Sequence, residues 1–573
     1  MKRCLLLASA LLSMSPLMAA EPTPLVLNLL GRYSTNVFDK SAAEIPAFDP
    51  QSKRGFVVNA QKGVVEVLDL SQPNQPVSVG ELSATAILPK AVVNSVAVKN
   101  GIVAIAIEAP VKTDLGKVAF FRAADLSQIS SVNVGAQPDM LTFTPDGKTV
   151  VVANEGEPSA DYQIDPEGSV SIINIQNIKK PSVRTADFRA FNGQEKQLRQ
   201  AGVRIDGPYA SAAQDLEPEY IAIAPDSKTA WVTLQENNAL AKVDLQRGKI
   251  AAVLPLGLKD HGLAGNGLDV SDKDKKINIR TWPGVKGMYQ PDSIASYSVD
   301  GNTYLVMANE GDSRAWGEDD KAYWAGDASK GFVEEIRVKN LVHKDGFAGQ
   351  KELPPQLAKL AKGAVLNPAV FAYCGATELS AGDCASDEQL GRLTIAWTQG
   401  YQVGLDGLPK LNADGKLVYD QLVAFGGRSF SIRDANGKLI WDSGDQFEQL
   451  LAKLEPKYFN TSHSKTAFDD RSDNKGPEPE GVAVGKIGER QYAFIGLERM
   501  SGIMAYDISN PQAPVFAGYT STRNFDAKEN KDAGDLGPEG LSFVSAKDSP
   551  TGEPLLIVGN EVSGTTSIFS IIQ

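Results

Sequence analysis

Short apolar runs separated by turn residues recur along almost the whole chain. The clearest unit begins at Gln137-Pro138-Asp139. Met140 to Thr144 predicts a strand, and Pro145-Asp146-Gly147-Lys148 predicts a hairpin turn. Thr149 to Ala153 is a second strand, Val-rich and apolar on both faces. Gly168 to Ile175 alternates as a third strand, and Val183 to Phe188 supplies a fourth.

The unit returns. Glu217-Pro218-Glu219, Gln290-Pro291-Asp292, Glu478-Pro479-Glu480 and Gly537-Pro538-Glu539 each precede a strand, a turn and a second apolar strand. Weaker copies begin at Glu44 and Asn94, making seven units. Four short strands repeated seven times predict an all-β fold, a seven-bladed β-propeller. The last unit runs out after three strands, near Leu541 to Val544, Leu555 to Val558 and Thr566 to Ile571. Leu25 to Leu30 is placed to supply the fourth and close the ring, which removes exposed edges. A β-sandwich array or two smaller domains are the alternatives.

Two interruptions matter. Residues 311 to about 425 fall after the second strand of the fifth unit, with a helix expected over Pro355 to Lys362. The fifth unit resumes at Gly427 to Ala435 and Leu439 to Asp442, followed by an amphipathic helix at Phe447 to Leu454. The insertion reads as a lid over a pocket or as inert decoration.

Met1 to Ala20 predicts a secretory signal: Lys2 and Arg3, an apolar stretch from Cys4 to Leu12, and Ala19-Ala20 as cleavage site. An uncleaved anchor is the alternative. Residues 21–573 are then expected to form one exported propeller domain, periplasmic or secreted, with no transmembrane segment in the mature chain. Cys374 and Cys384 remain, and in an oxidising compartment they are expected to form a disulfide; two free thiols are the alternative. A formal net charge of −13 argues against a nucleic-acid footprint. With only 3 His and 3 Cys in the chain, His- or Cys-rich zinc sites are disfavoured.

The acids carry the candidate chemistry. A residue just before the first strand of a blade and one just after the second end on the same face near the axis. The first set is Glu44, Asn94, Asp139, Glu219, Asp292, Glu480 and Glu539. The second is Ala60, Glu108, Glu155, Glu236, Glu310, Glu498 and Glu561. Turn chemistry favours Asp, Asn and Gly but not Glu, so this recurrence needs another cause. Converging carboxylates must bind cations, pair with basic groups or stay protonated. Hard oxygen donors point to Ca²⁺, with room for a second divalent or transition metal. The metal candidates are therefore Asp139, Glu155, Glu219, Glu236, Asp292, Glu310, Glu480, Glu498, Glu539 and Glu561, joined by Asp312, Asp473 and Glu478 from the adjoining loops. Arg314, Arg428, Arg471 and Arg499 lie close by in sequence, either balancing this charge or holding an anion such as phosphate. The loops Asp469 to Gly476 and Asp269 to Asp274 look like calcium loops, but neither has EF-hand spacing. The second reads more simply as a solvated turn.

Lys286-Gly287-Met288-Tyr289-Gln290-Pro291-Asp292, Ala308 to Asp312, Ala424 to Ile432 and Asp469 to Gly481 together resemble the choice-of-anchor I domain family. That family is similar to the mesenchyme-specific cell-surface glycoproteins of biomineralising animals. The resemblance implies an exported propeller. Some bacterial relatives carry the name alkaline phosphatase, which implies a possible phosphomonoesterase. Members are tethered by varied C-terminal anchors, whereas this sequence stops at Ser570-Ile571-Ile572-Gln573 without a sorting tail, so release is expected. Two functions follow: a calcium-dependent binding or scaffold protein meeting a polymer or protein partner, or a metal-dependent phosphoesterase. No Ser or Thr stands out as a nucleophile.

Overall fold

A strand that is apolar on both faces must be covered on both, and the second strand of every unit is. The computed structural model describes residues 24–351, 353–404 and 407–573. The predicted signal, residues 1–20, lies outside them. Among the described residues the chain is all-β in architecture, with seven four-stranded sheets whose strands pair antiparallel. The third sheet is typical: Pro138–Phe143, Thr149–Asn154, Ser169–Asn174 and Ser182–Asp187 pair in chain order. Its second strand is buried almost throughout, while its fourth is largely exposed.

The other sheets repeat this order. The first runs from Pro46–Asp49 to Val77–Ser83 and the second from Val92–Lys99 to Gln128–Ala136. The fourth runs from Ile221–Ile223 to Lys249–Pro255, and the sixth from Pro479–Ile487 to Val515–Ser521. In the seventh, the chain's N-terminal strand Val26–Ser34 pairs antiparallel with Thr565–Ile572 as the outer member.

The sheets are joined by apolar layers. One core lies between the first and second sheets around Phe56, Val67 and Ile105, and another between the fifth and sixth around Phe430, Ile495 and Tyr506. Val57 and Leu68 of the first sheet pack against Leu555 and Ile557 of the seventh. The first strand of each sheet touches that of the next, and the seventh touches the first. Such close approach requires glycine at particular points. A methyl on Gly481 would overlap the carbonyl of Glu539, and one on Gly559 would overlap that of Glu44.

The fifth sheet is divided in sequence. Asn302–Asn309 pairs with Ser429–Asp434, and the segment between them folds separately. It contributes to a five-stranded sheet ordered Leu258–Asp260, Val285–Met288, Leu422–Ala424, Thr394–Ala396 and Glu335–Arg337. This sheet also recruits residues that precede the fifth unit, which the repeat pattern does not anticipate. It has its own core around Trp282, Leu341, Phe371 and Tyr419. Cys374 and Cys384 form a disulfide there. The two expected helices are present as Pro355–Leu360 and Gln446–Leu454. Among the described residues no helix is long and apolar enough to cross a membrane.

Gly559→Ala tests the junction of the seventh and first sheets. Overpacking against backbone is expected to cost about 1–3 kcal/mol. The readout is a lowered urea midpoint with an unchanged slope. An unchanged midpoint would mean the two sheets do not meet as described.

Candidate functional site

The acids reach one another because the backbone bends at the same place in several repeats. The residue before the proline has a left-handed conformation: φ is 47° at Gln137, 41° at Gln290, 51° at Glu478 and 69° at Gly537. For a non-glycine residue this costs about 1–3 kcal/mol. The first strand then slips register, between Pro138 and Leu141, Pro479 and Val482, and Pro538 and Leu541. Asp139, Glu480 and Glu539 sit inside these irregularities, which re-aim a side chain away from the pleat. A backbone hydrogen bond fastens the second acid alongside. The Glu155, Glu498 and Glu561 N–H groups donate to the carbonyls of Gln137, Glu478 and Gly537 at 2.9, 2.9 and 2.8 Å.

The result is a set of carboxylate clusters between neighbouring sheets. Glu155 of the third sheet meets Glu219 and Glu236 of the fourth. Asp292 and Glu310 of the fifth meet Glu480 of the sixth. Glu539 and Glu561 of the seventh meet Glu44 of the first, and Glu561 also joins Glu498 and His463. Within each group, one potential ligand atom per residue lies within 4.8 Å of the others.

Burial makes these clusters expensive. Glu155, Glu219, Glu236, Glu310 and Glu498 are all buried. Among the described residues, Glu219, Glu236, Glu480 and Glu539 each keep an Oε2 that is buried without a hydrogen-bond partner. Burial, reinforced by neighbouring carboxylates, pushes Asp139 up to about 7 and Asp292 up to about 8. Glu236 rises to about 7 on burial, against the pull of Arg314. Burial likewise lifts Glu44 to about 8 and Glu561 to about 7. Glu155, Glu219, Glu310, Glu480 and Glu539 are driven well above the ordinary range, again chiefly by burial.

One sector is compensated differently. Burial alone would raise Glu478, but Lys475, Arg471 and Arg499 together hold its carboxyl well below the usual range. Lys475 Nζ lies 3.2 Å from Glu478 Oε2 and also pairs with Glu310. Arg471 Nη2 is 2.5 Å from Glu478 Oε1, and Arg499 Nε is 2.9 Å from Oε2. Arg499 reaches Glu498 at 3.2 Å as well, and His463 Nδ1 lies 3.0 Å from the same Glu498 oxygen.

The remaining candidates divide. Arg314 is fully buried and pairs with Glu217 at 3.2 Å and Asp215 at 3.7 Å. Arg428 donates to Glu448 at 2.7 Å and to the carbonyls of Asp269, Ser472 and Asn474. Asp312 is half-exposed, 4.0 Å from Lys475. Asp473 turns to the inserted module, 2.6 Å from both Arg337 and Arg392, and joins none of the clusters above. Sequence reasoning passed over Lys475, Glu217 and His463 as site residues. Lys475 stands three residues before Glu478 in a loop already singled out, so its signal was available. His463 carried no motif.

An oxygen-rich, sulfur-free donor set of this kind suits hard divalent cations, and Lys475, Arg471 and Arg499 offset its charge only around Glu310, Glu478 and Glu498.

Residues 44–511 match the choice-of-anchor I domain. A mesenchyme-specific cell surface glycoprotein of Strongylocentrotus purpuratus is 25% identical over 416 residues, which is 67% of this chain and 48% of that protein. Gigasin-3a of Magallana gigas is 32% identical over 199 residues, 32% of this chain and 66% of that protein. The chain thus spans about half the length of the first relative and under two thirds of the second. Among solved structures, hydrazine synthase of Kuenenia stuttgartiensis aligns at a TM-score of 0.42 and 12% identity, over 94% of this chain and 97% of that one. The Cps50 (Swd1) β-propeller domain of Myceliophteria thermophila aligns at a TM-score of 0.39 and 10% identity, over 94% and 99%. With a match across residues 44–511 of its 573, the chain belongs to the choice-of-anchor I domain family.

Proposed function

We propose that this chain is an extracellular scaffold: a seven-bladed β-propeller, closed by its N-terminal strand, whose acidic face binds calcium and presents it to a polymer or protein partner. The observation that carries the reading is the set of buried, unpartnered carboxylate oxygens on Glu219, Glu236, Glu480 and Glu539. Fixed ion pairs satisfy Glu478, but among the described residues nothing comparable reaches these four. A hard cation supplies both the missing charge and the missing contact. The apolar layer between the seventh and first sheets supports closure. The disulfide and a relative named as a cell surface glycoprotein support an exported location. The scaffold reading is preferred to a metal-dependent phosphomonoesterase because Arg314, Arg428, Arg471 and Arg499 each already face a carboxylate.

Calcium is expected to raise the melting temperature of chelator-treated protein. At a free concentration 100 times the dissociation constant, each site contributes about 2.7 kcal/mol. Glu480→Gln and Glu219→Gln should each weaken that response and leave the metal-free protein at least as stable as the parent. A full calcium response in both variants would contradict the assignment.

The pH dependence has a definite sign. The raised carboxyls hold protons in the folded chain that the unfolded chain releases near 3.8 to 4.5. Their contribution to stability is complete below that range and is lost as pH rises through about 7 to 8. In chelator, the melting temperature should therefore fall between about pH 5 and pH 8. Saturating calcium, which favours the ionised carboxylates, should flatten or reverse that fall. Parallel curves with and without calcium would count against these acids as ligands.

A further inference from the structure

We infer that the chain holds a second hard divalent cation of the calcium type between two loops distant in sequence, with Asp269, Asp274 and Asp469 as ligands. None of these residues belongs to the clusters on the acidic face. One carboxylate oxygen from each lies within 4.8 Å of the others. Asp269 and Asp469 are 0% and 1% exposed, and the Asp274 side chain is 3% exposed.

The hydrogen-bond inventory leaves a specific gap. Asp269 accepts from the N–H groups of Asn278 at 2.6 Å and Ser271 at 3.3 Å. Asp274 accepts from the Lys276 N–H at 3.2 Å and from Asn278 Nδ2 at 3.0 Å. Asp469 Oδ1 accepts from the Ser472 hydroxyl at 2.5 Å. Asp469 Oδ2 is buried with no hydrogen-bond partner among the described residues. Asn460 Oδ1 is a second such atom, and its Nδ2 bonds the same Ser472 hydroxyl at 2.9 Å. An orphaned carboxylate oxygen beside two further carboxylates marks a place where a ligand completes the bonding.

The charges agree with the gap. Lys276 stands 3.9 Å from Asp274, at the limit of an ion pair, and its side chain is 64% exposed. Arg428 approaches the same region, but its guanidinium is committed to Glu448 and three carbonyls. Three carboxylates thus face one distant, solvated lysine. Carboxylate and amide oxygens without thiol or imidazole select calcium or magnesium over zinc.

The position also has a consequence for the acidic face. Leu268 and Val270 anchor the first loop in the core of the inserted module. Asp469 opens the loop that carries Arg471 and Lys475 to Glu478. A cation here ties the module to the loop that neutralises the sixth sheet's acid.

The test is a calorimetric titration of chelator-treated full-length protein with calcium chloride. Asp469→Asn keeps an oxygen to accept the Ser472 hydrogen bond while removing the charge, and Asp274→Asn does the same at the rim. Each is expected to lower the calcium stoichiometry by one equivalent, while Glu480→Gln leaves that equivalent intact. If Asp469→Asn does not fold, Asp274→Asn decides the matter, because its residue lies beside the exposed Lys276. Full stoichiometry in the aspartate variants, or no calcium bound by the parent, would overturn the inference. Loss of one equivalent in them with no effect of Glu480→Gln would uphold this site and remove support from the acidic face.

Discussion

Carboxylates withdrawn from water beside one another repel, and a buried ion without a partner costs several kcal/mol even after the protein relaxes. The protein places such groups at the junctions of the third and fourth, fifth and sixth, sixth and seventh, and seventh and first sheets. It does so through backbone devices that are themselves costly: left-handed residues before proline and slipped strand registers. The neighbouring sheets hold these devices in place through continuous apolar layers and through glycines that no larger residue can replace without collision. The architecture supplies the stability, and the acidic face draws on it.

The balance of charge is uneven around that face. Near the sixth sheet, Lys475, Arg471 and Arg499 converge on Glu478, which stays ionised. Among the described residues Glu219 and Glu539 have no comparable neighbour, and they are held towards the protonated form by burial. Protons and hard cations compete for such groups. On the proposed reading, a cation is needed most at the junctions that lack basic side chains.

The strand order, the seven repeats and the pairing of the N-terminal strand with the last unit were legible because each follows from periodicity in adjacent residues. The Thr149–Asn154 strand and the turn before it are local features, and so are the acids that flank them. The inserted module was not legible to the same depth. Its sheet joins Val285–Met288 in parallel to Leu422–Ala424, a pairing between residues far apart that no local pattern encodes. The same reason hid the meeting of Asp269 and Asp274 with Asp469. Each loop alone resembles a calcium loop without EF-hand spacing, and only tertiary packing makes them one group. Arg428 illustrates the converse. Its sequence neighbourhood invited an anion-binding reading, while its buried partners are Glu448 and three backbone carbonyls.

The most direct measurement is proton release on calcium binding, obtained by titrating chelator-treated protein at about pH 6 in buffers of different ionisation enthalpy. If buried carboxyls hold protons until a cation replaces them, binding should release on the order of one or more protons per calcium. The release should shrink as pH rises past about 8, where Asp292 and Glu44 have ionised. Calcium binding with no proton exchange at about pH 6 would contradict the claim that these desolvated carboxylates are the ligands.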